Sequence, residues 1–171
     1  MNNITVKRLV WNALLLALLV ICSYISFPIG TVNITLQVFA VFLIVLLSKS
    51  FDAIIITCLY AIMGTIGLPV FSSFSAGGFA SATYGFILGF ILSSILIYIY
   101  NLLSKNNNNY HLLIKGIIVL IGIYVIGLPY ACFILKSDLF SMLVYFLPYI
   151  AIDILKMIFA SFVYKRLAKI L

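Results

Sequence analysis

Long apolar runs separated by short polar breaks dominate the chain. Six runs have the composition of membrane helices, at roughly 8–27, 34–48, 52–68, 79–102, 112–134 and 141–164. A helix that crosses the hydrocarbon core of a bilayer needs about 20 mainly apolar residues, so the second and third runs are short. Because only a few residues separate those two, they are expected to form a tight helical hairpin. The pattern predicts an all-α integral membrane protein, a bundle of six transmembrane helices in a single domain of residues 1–171.

The Lys and Arg residues predict the orientation of this bundle. With six spans, eight of them fall on the same side of the membrane: Lys7, Arg8, Lys49, Lys105, Lys115, Lys165, Arg166 and Lys169. The other side carries only Lys136, which is offset by Asp138. Since cytoplasmic loops hold the excess of Lys and Arg, both the N and the C terminus are expected in the cytoplasm.

Composition excludes a soluble protein. The chain is 66% hydrophobic and 8% charged, whereas soluble domains are roughly half apolar and about a quarter charged. Ten Lys and Arg residues stand against three acidic residues, a basic excess that can indicate nucleic-acid binding. Here the basic residues lie one or two at a time between apolar runs. They predict contact with a lipid bilayer and no nucleic-acid partner.

Two ionisable residues lie deep inside the last apolar run. Asp153 and Lys156 are three positions apart, so a helix places them on one face, where each can neutralise the other. A lone charge at the centre of a membrane helix costs about 2.5–3.5 kcal/mol on insertion scales, which favours a polar ligand site. The alternative is a buried pair that only fixes helix packing. Pro148, before the pair, is expected to kink or break the helix, or alternatively to mark the start of the helix.

Polar residues at the expected outer end extend this candidate site. Asn33, Thr35 and Gln37 open the second predicted helix and could hydrogen-bond a solute, or only make that end compatible with the interface. The outer loops at 27–33 and 68–78 are uncharged and rich in Gly, Pro, Ser and Phe. Such loops are expected to fold back over a cavity.

Ala13 and Ala17 form a pair of small residues four positions apart in the first run. This spacing lets another helix approach closely. It is compatible with packing inside the bundle and with docking of a partner subunit.

Motifs of enzymatic chemistry do not occur in the sequence. It has no GxxxxGK[ST] phosphate loop and no GxSxG elbow. His111 is the single histidine, and Cys22, Cys58 and Cys132 stand in separate apolar runs without metal-ligand spacing. No catalytic residue, metal site or enzymatic activity is therefore predicted.

Several segments resemble the BioY family of biotin transporters. The matches are residues 31–41 with P-x-T-L-Q-x-x-A-V, 64–71 and 74–78 with G-x-x-G-L-P-V-F…F-S-x-G-G, 126–130 with the fifth helix, and Asp153 to Lys156 with D-x-x-K. This resemblance implies the substrate-binding S component of an energy-coupling factor (ECF) transporter, in the plasma membrane of a prokaryote. It implies a transmembrane coupling protein and two ATPase subunits as partners, and no cofactor besides the transported biotin.

The resemblance also implies roles for individual residues. Asp153 would accept a hydrogen bond from an N–H of the biotin ureido ring, and Lys156 would pair with Asp153 and donate to a ligand oxygen. Ala13 and Ala17 match the docking motif A-x-x-x-A. The further implied contacts are polar at Gln37, Asn33 and Thr35, and apolar at Phe71, Phe74 and Tyr84. An S component for a different vitamin, a stand-alone secondary transporter and an intramembrane enzyme remain as alternatives.

Overall fold

The computed structural model describes residues 6–29, 32–72, 79–104 and 110–169. In that part of the chain the elements are α1 (Val6–Tyr24), β1 (Ser26–Ile29), β2 (Val32–Thr35), α2 (Gln37–Leu47), α3 (Ser50–Thr65), α4 (Tyr84–Leu103), α5 (Tyr110–Leu135) and α6 (Leu139–Leu167). Four of these helices, α1, α4, α5 and α6, are long and apolar enough to cross a membrane. The predicted helical membrane protein is confirmed at this level, while α2 and α3 are shorter.

A two-stranded hairpin corrects the purely helical expectation. β1 and β2 pair antiparallel, and α2 begins only at Gln37, so the prediction that residues 34–36 belong to the second helix was wrong. Val32, Ile34 and Thr35 are β-branched, and such side chains fit a strand better than a helix. The backbone N–H of Leu36 donates to the carbonyls of Cys22 and Ile25, both at 3.2 Å, which fastens the hairpin to the end of α1.

The last helix runs unbroken through Pro148. The predicted break or start at this position was therefore wrong. A proline removes only one backbone hydrogen bond and its φ angle suits a helix. Ending the helix inside an apolar layer would leave several more backbone groups unpaired, which is the costlier outcome.

Small residues let α4 and α5 pack closely. A Cβ atom on Gly89 would lie 2.6 Å from the carbonyl oxygen of Ile123, and one on Gly122 would lie 2.8 Å from the Cα atom of Ser93. The Ser93 hydroxyl also donates to the Val119 carbonyl across the interface at 2.9 Å. Close backbone approach and interhelical hydrogen bonds are the usual means of helix association in membranes.

Polar contacts join α1 to the α3 region at both ends. Near the start of α1 the guanidinium of Arg8 donates to both carboxylate oxygens of Asp52, with an Nε–Oδ2 distance of 2.7 Å. Asp52 is almost completely buried, so Arg8 serves as its counter-ion in addition to its expected role as an orientation signal. At the other end, called the distal end below, Tyr24 donates to the carbonyl of Pro69 at 2.7 Å.

The outer faces of the helices are strongly apolar. Large exposed side chains include Ile121, Val125 and Phe133 on α5 and Leu155 and Phe159 on α6. Such a continuous apolar surface requires a lipid or protein partner. The buried core lies between the helices, and most of the short helix α2 is buried within it.

Candidate functional site

A cavity lies among the helices in the distal half of the bundle. It encloses about 640 Å³ of non-protein space when the open solvent at its mouth is included. The lining residues are Asn33, Ile34, Thr35, Gln37, Val38, Phe71, Ser72, Thr83, Phe86, Ile87, Phe90, Ile123, Tyr124, Phe146, Tyr149, Asp153 and Lys156.

The ionisable pair of α6 is one polar centre of this cavity. The Lys156 ammonium donates to Asp153 Oδ1 at 2.7 Å, and the Tyr124 hydroxyl of α5 donates to Asp153 Oδ2 at 2.8 Å. Asp153 is 7% exposed. Each carboxylate oxygen has two lone pairs and the ammonium has three donors, so the cluster can make further hydrogen bonds to a guest molecule.

The amide of Gln37, at the first turn of α2, is the second polar centre. Its oxygen accepts from the Thr35 hydroxyl at 2.8 Å, and its nitrogen donates to the Tyr60 hydroxyl of α3. Because the Tyr60 hydroxyl donates its proton to the Val70 carbonyl, it accepts from the amide, which places the amide nitrogen on the Tyr60 side. Thr35 is the last residue of β2. The hairpin, which was not predicted from the sequence, therefore brings the Thr35 side chain to the amide.

Aromatic rings form the apolar wall between the polar centres. Phe86 of α4 packs against Phe146 of α6 with ring centroids 5.1 Å apart, and against Tyr124 at 5.7 Å. Tyr149 lies 5.1 Å from Phe146. Offset and edge-on aromatic contacts of this kind build rigid surfaces for flat, apolar ligand parts.

Four further residues line the cavity but were not predicted from the sequence, although part of the signal was present: Phe86, Tyr124, Phe146 and Tyr149. Phe146, Tyr149, Asp153 and Lys156 follow the spacing 3, 4, 3, which places all four on one face of a helix. Extending the face of the ionisable pair toward the N terminus would have found the two aromatic residues. Tyr124 and Phe86 have no comparable signal, because they lie on other helices.

The predicted site residues divide into three groups. Those that line the cavity are Asn33, Thr35, Gln37, Phe71, Asp153 and Lys156. Tyr84 is buried one layer behind, where its hydroxyl shares a 2.8 Å hydrogen bond with Thr65 and its ring lies 6.4 Å from that of Phe71. Phe74 lies outside the described residues.

Ala13 and Ala17 are exposed on α1 and are not among the lining residues of the cavity. Packing inside the bundle therefore does not explain why these two residues are small. This leaves the surface of α1 available to another helix.

The described part of the chain has few side chains grouped in a way that could hold a metal ion. No cluster of three or more His, Cys, Asp or Glu side chains occurs there. His111 lies in the first turn of α5, and it hydrogen-bonds Tyr100 of α4. The arrangement in the cavity, a paired carboxylate with aromatic walls, suits binding of a neutral polar group beside an apolar one.

Comparison with known proteins gives a consistent relationship over the whole chain. The sequence model of the BioY family matches residues 1–171. The chain is 32% identical over 168 residues to the biotin transporter BioY of Thermotoga maritima, covering 96% of this chain and 97% of that protein. It is 34% identical over 159 residues to the probable biotin transporter BioY of Pyrococcus horikoshii, covering 91% and 92%.

A solved structure is similar as well. The crystal structure of the S component for biotin from an ECF-type ABC transporter superposes with a TM-score of 0.83 at 26% identity. The match covers 99% of this chain and 94% of the other. Fold and sequence therefore agree on the same group of relatives.

Proposed function

This chain belongs to the BioY family, and we propose that it is the S component of an ECF-type transporter that binds biotin for uptake across the plasma membrane. The observation that carries the proposal is the buried cluster of Asp153, Lys156 and Tyr124 facing a cavity of about 640 Å³. Keeping a carboxylate in a membrane bundle is expensive. A ligand that uses this carboxylate explains its presence.

The hydrogen-bonding groups of the polar cluster are complementary to those of the biotin ureido ring, which carries two N–H donors and one carbonyl. Asp153 accepts from a ureido N–H through a free lone pair, and Lys156 donates to the ureido carbonyl or to another ligand oxygen. Tyr124 holds the other carboxylate oxygen at 2.8 Å, so the carboxylate is oriented before the ligand arrives. Preorganisation of this kind lowers the entropy lost on binding.

The remaining lining residues suit the rest of the ligand. Phe86 and Phe146 offer flat apolar surfaces to the thioether ring, and Phe71 covers it from the segment after α3. Gln37 and Asn33 provide polar contacts for the carboxylate tail. Tyr84 supports Phe71 from behind instead of contacting the ligand.

In the membrane we propose six spans with both termini in the cytoplasm. α2 has 11 residues and is about 16 Å long, roughly half of the 30 Å hydrocarbon layer. The hairpin and the cavity occupy the remaining half on the distal side, which is then the outer side. Arg8 and Lys165 lie at the opposite end, in agreement with the preference of basic residues for the cytoplasm.

Partner docking is assigned to α1. Ala13 and Ala17 are exposed, and their small side chains allow a transmembrane coupling protein to approach the helix backbone. The sequence has no phosphate loop, so two ATPase subunits would supply the energy for release of biotin into the cell.

Equilibrium binding of radiolabelled biotin to the purified protein tests the proposal. Asp153→Asn removes the charge and leaves Lys156 without its counter-ion, so affinity should fall at least 10–100-fold, the equivalent of about 1.5–3 kcal/mol for hydrogen bonds to charged groups. Tyr124→Phe keeps the ring and removes only the orienting hydroxyl, so a smaller loss, about 3–10-fold, is expected.

Ile154→Ala is the matched control, because Ile154 is exposed on the opposite side of the same helical turn. Its affinity should equal that of the natural protein. Unchanged affinity in Asp153→Asn would refute the role of the carboxylate. Displacement of biotin by another unlabelled vitamin at equal concentration would assign a different substrate.

A further inference from the structure

A short backbone segment after α3 turns back over the cavity. The chain reverses at Gly67, whose φ of +102° is a conformation that favours glycine. Residues 68–72 then return along the bundle and place Phe71 and Ser72 in the cavity wall. The segment is irregular, so its carbonyls need hydrogen-bond partners from elsewhere when they are buried.

Three hydroxyl groups supply these partners from two different helices. Tyr24 donates to the Pro69 carbonyl at 2.7 Å. The Val70 carbonyl accepts from Tyr60 at 3.1 Å and from Ser23 at 2.7 Å, although the one proton of Ser23 also has the Val20 carbonyl within 2.7 Å. Ser23 and Tyr24 belong to α1, whereas Tyr60 belongs to α3, so the segment is fastened on both sides.

Tyr60 also connects this anchor to the polar centre of the cavity. It is completely buried, its ring packs edge-on against Phe71 with centroids 5.3 Å apart, and its hydroxyl accepts from the Gln37 amide. A phenylalanine would fill the same space without a polar atom. The hydroxyl is therefore explained by its two hydrogen-bond partners, the Gln37 amide and the Val70 carbonyl.

We propose that Ser23, Tyr24 and Tyr60 are positioning residues that hold the 68–72 segment against the ligand and thereby set the rate at which the ligand escapes. The identity of the ligand rests on the function proposed above. The anchoring itself does not, because its hydrogen bonds join groups of this chain alone. Since the Val70 carbonyl has two donors, losing either one leaves the other, whereas losing both leaves only the Tyr24 hydroxyl on the Pro69 carbonyl to hold the segment.

The experiment uses Ser23→Ala and Tyr60→Phe, singly and combined, in the full-length protein. Dissociation of radiolabelled biotin should be at most about threefold faster in each single variant and more than tenfold faster in the double variant. Hydrogen–deuterium exchange of the backbone amides of residues 68 and 70–72, measured without ligand, should accelerate in the same order, since Pro69 has no amide hydrogen. Thr57→Val is the matched control, because Thr57 lies one turn earlier on α3, is equally buried, and does not contact the segment.

The outcomes separate the anchor from the function. Faster exchange at 68–72 in the double variant, with Thr57→Val unchanged, supports the anchor even if the natural protein fails to bind biotin, a result that would refute only the proposed function. Unchanged exchange in the double variant overturns the anchor whether or not biotin binds. Equal acceleration in Thr57→Val also overturns it, because general loosening of α3 would then be the cause.

Discussion

Substitution of Gly89 by alanine tests how closely α4 and α5 must pack to form the cavity. The added Cβ atom would lie 2.6 Å from the Ile123 carbonyl oxygen and 2.7 Å from its Cα atom. Both are backbone atoms in the middle of a helix, so no side-chain rotation relieves the clash. Ordinary van der Waals contact begins near 3.4 Å, and the two helices must therefore separate by most of an ångström.

The energetic cost follows from two opposing effects. Overpacking of a well-packed interior costs about 1–3 kcal/mol, whereas replacing glycine by alanine inside a helix gains about 0.5–1 kcal/mol. We expect a net destabilisation of about 1–2 kcal/mol, which for a chain of this size lowers the midpoint of thermal unfolding by roughly 2–8 °C. Phe86, Phe90 and Tyr124 flank the contact and line the cavity, so biotin affinity should fall about tenfold.

Gly116→Ala is the matched control on α5. There the nearest atom to an added Cβ is the terminal methyl of Met157, at 2.6 Å, and this flexible side chain can move aside. Thermal unfolding in detergent should show equal or higher stability for Gly116→Ala and lower stability for Gly89→Ala. If Gly89→Ala unfolds at the same temperature as the natural protein and binds biotin equally well, the inferred close packing is refuted.

Further predictions concern the partner surface, the ion pair near the start of α1 and a helix cap. Replacing both Ala13 and Ala17 by leucine should abolish co-purification with the coupling protein while biotin binding persists; co-purification that is unchanged would refute a docking role. Arg8→Gln should lower the unfolding temperature because Asp52 loses its counter-ion, and adding Asp52→Asn should recover part of that loss, as a double-mutant cycle would reveal. Asp138 caps α6 by accepting from a backbone N–H at 2.9 Å, which lowers the pKa of its carboxyl. Its stabilisation should be present above the unfolded pKa of about 3.9 and disappear as the pH falls through the lower folded value, so natural protein and Asp138→Ala should differ in unfolding temperature at pH 7 and converge at strongly acidic pH.

Several features could be predicted because they depend on composition or on one helix alone. Apolar runs identify membrane helices by length, and the spacing of Asp153 and Lys156 places both on one helix face before any neighbour is known. Contacts between elements could not be predicted in this way. Tyr124 reaches Asp153 only because α5 packs beside α6, and no periodicity within either run encodes that neighbour.

The hairpin shows the same limit for local structure. Residues 27–33 were expected to form a loop and residues 34–36 to belong to the second helix, whereas residues 26–29 and 32–35 pair as β1 and β2, which provides partners for their backbone groups. Likewise, the start of α2 at Gln37 depends on the hydrogen bonds that the backbone N–H of Leu36 donates to the Cys22 carbonyl of α1 and to the Ile25 carbonyl. Strand pairing and tertiary hydrogen bonds compete with helix formation, and their strength depends on residues distant in sequence.

The sequence by itself determined that the chain is a helical membrane protein with one buried ionisable pair, because hydrophobicity and helical periodicity are properties of each segment alone. The tertiary structure decided what surrounds that pair: Tyr124 on its second oxygen, Phe86 in the facing wall and Phe71 anchored through the Val70 carbonyl. These residues lie on α4, α5 and the segment after α3. Their convergence on one cavity depends on how closely the helices pack, which is a property of the assembled bundle.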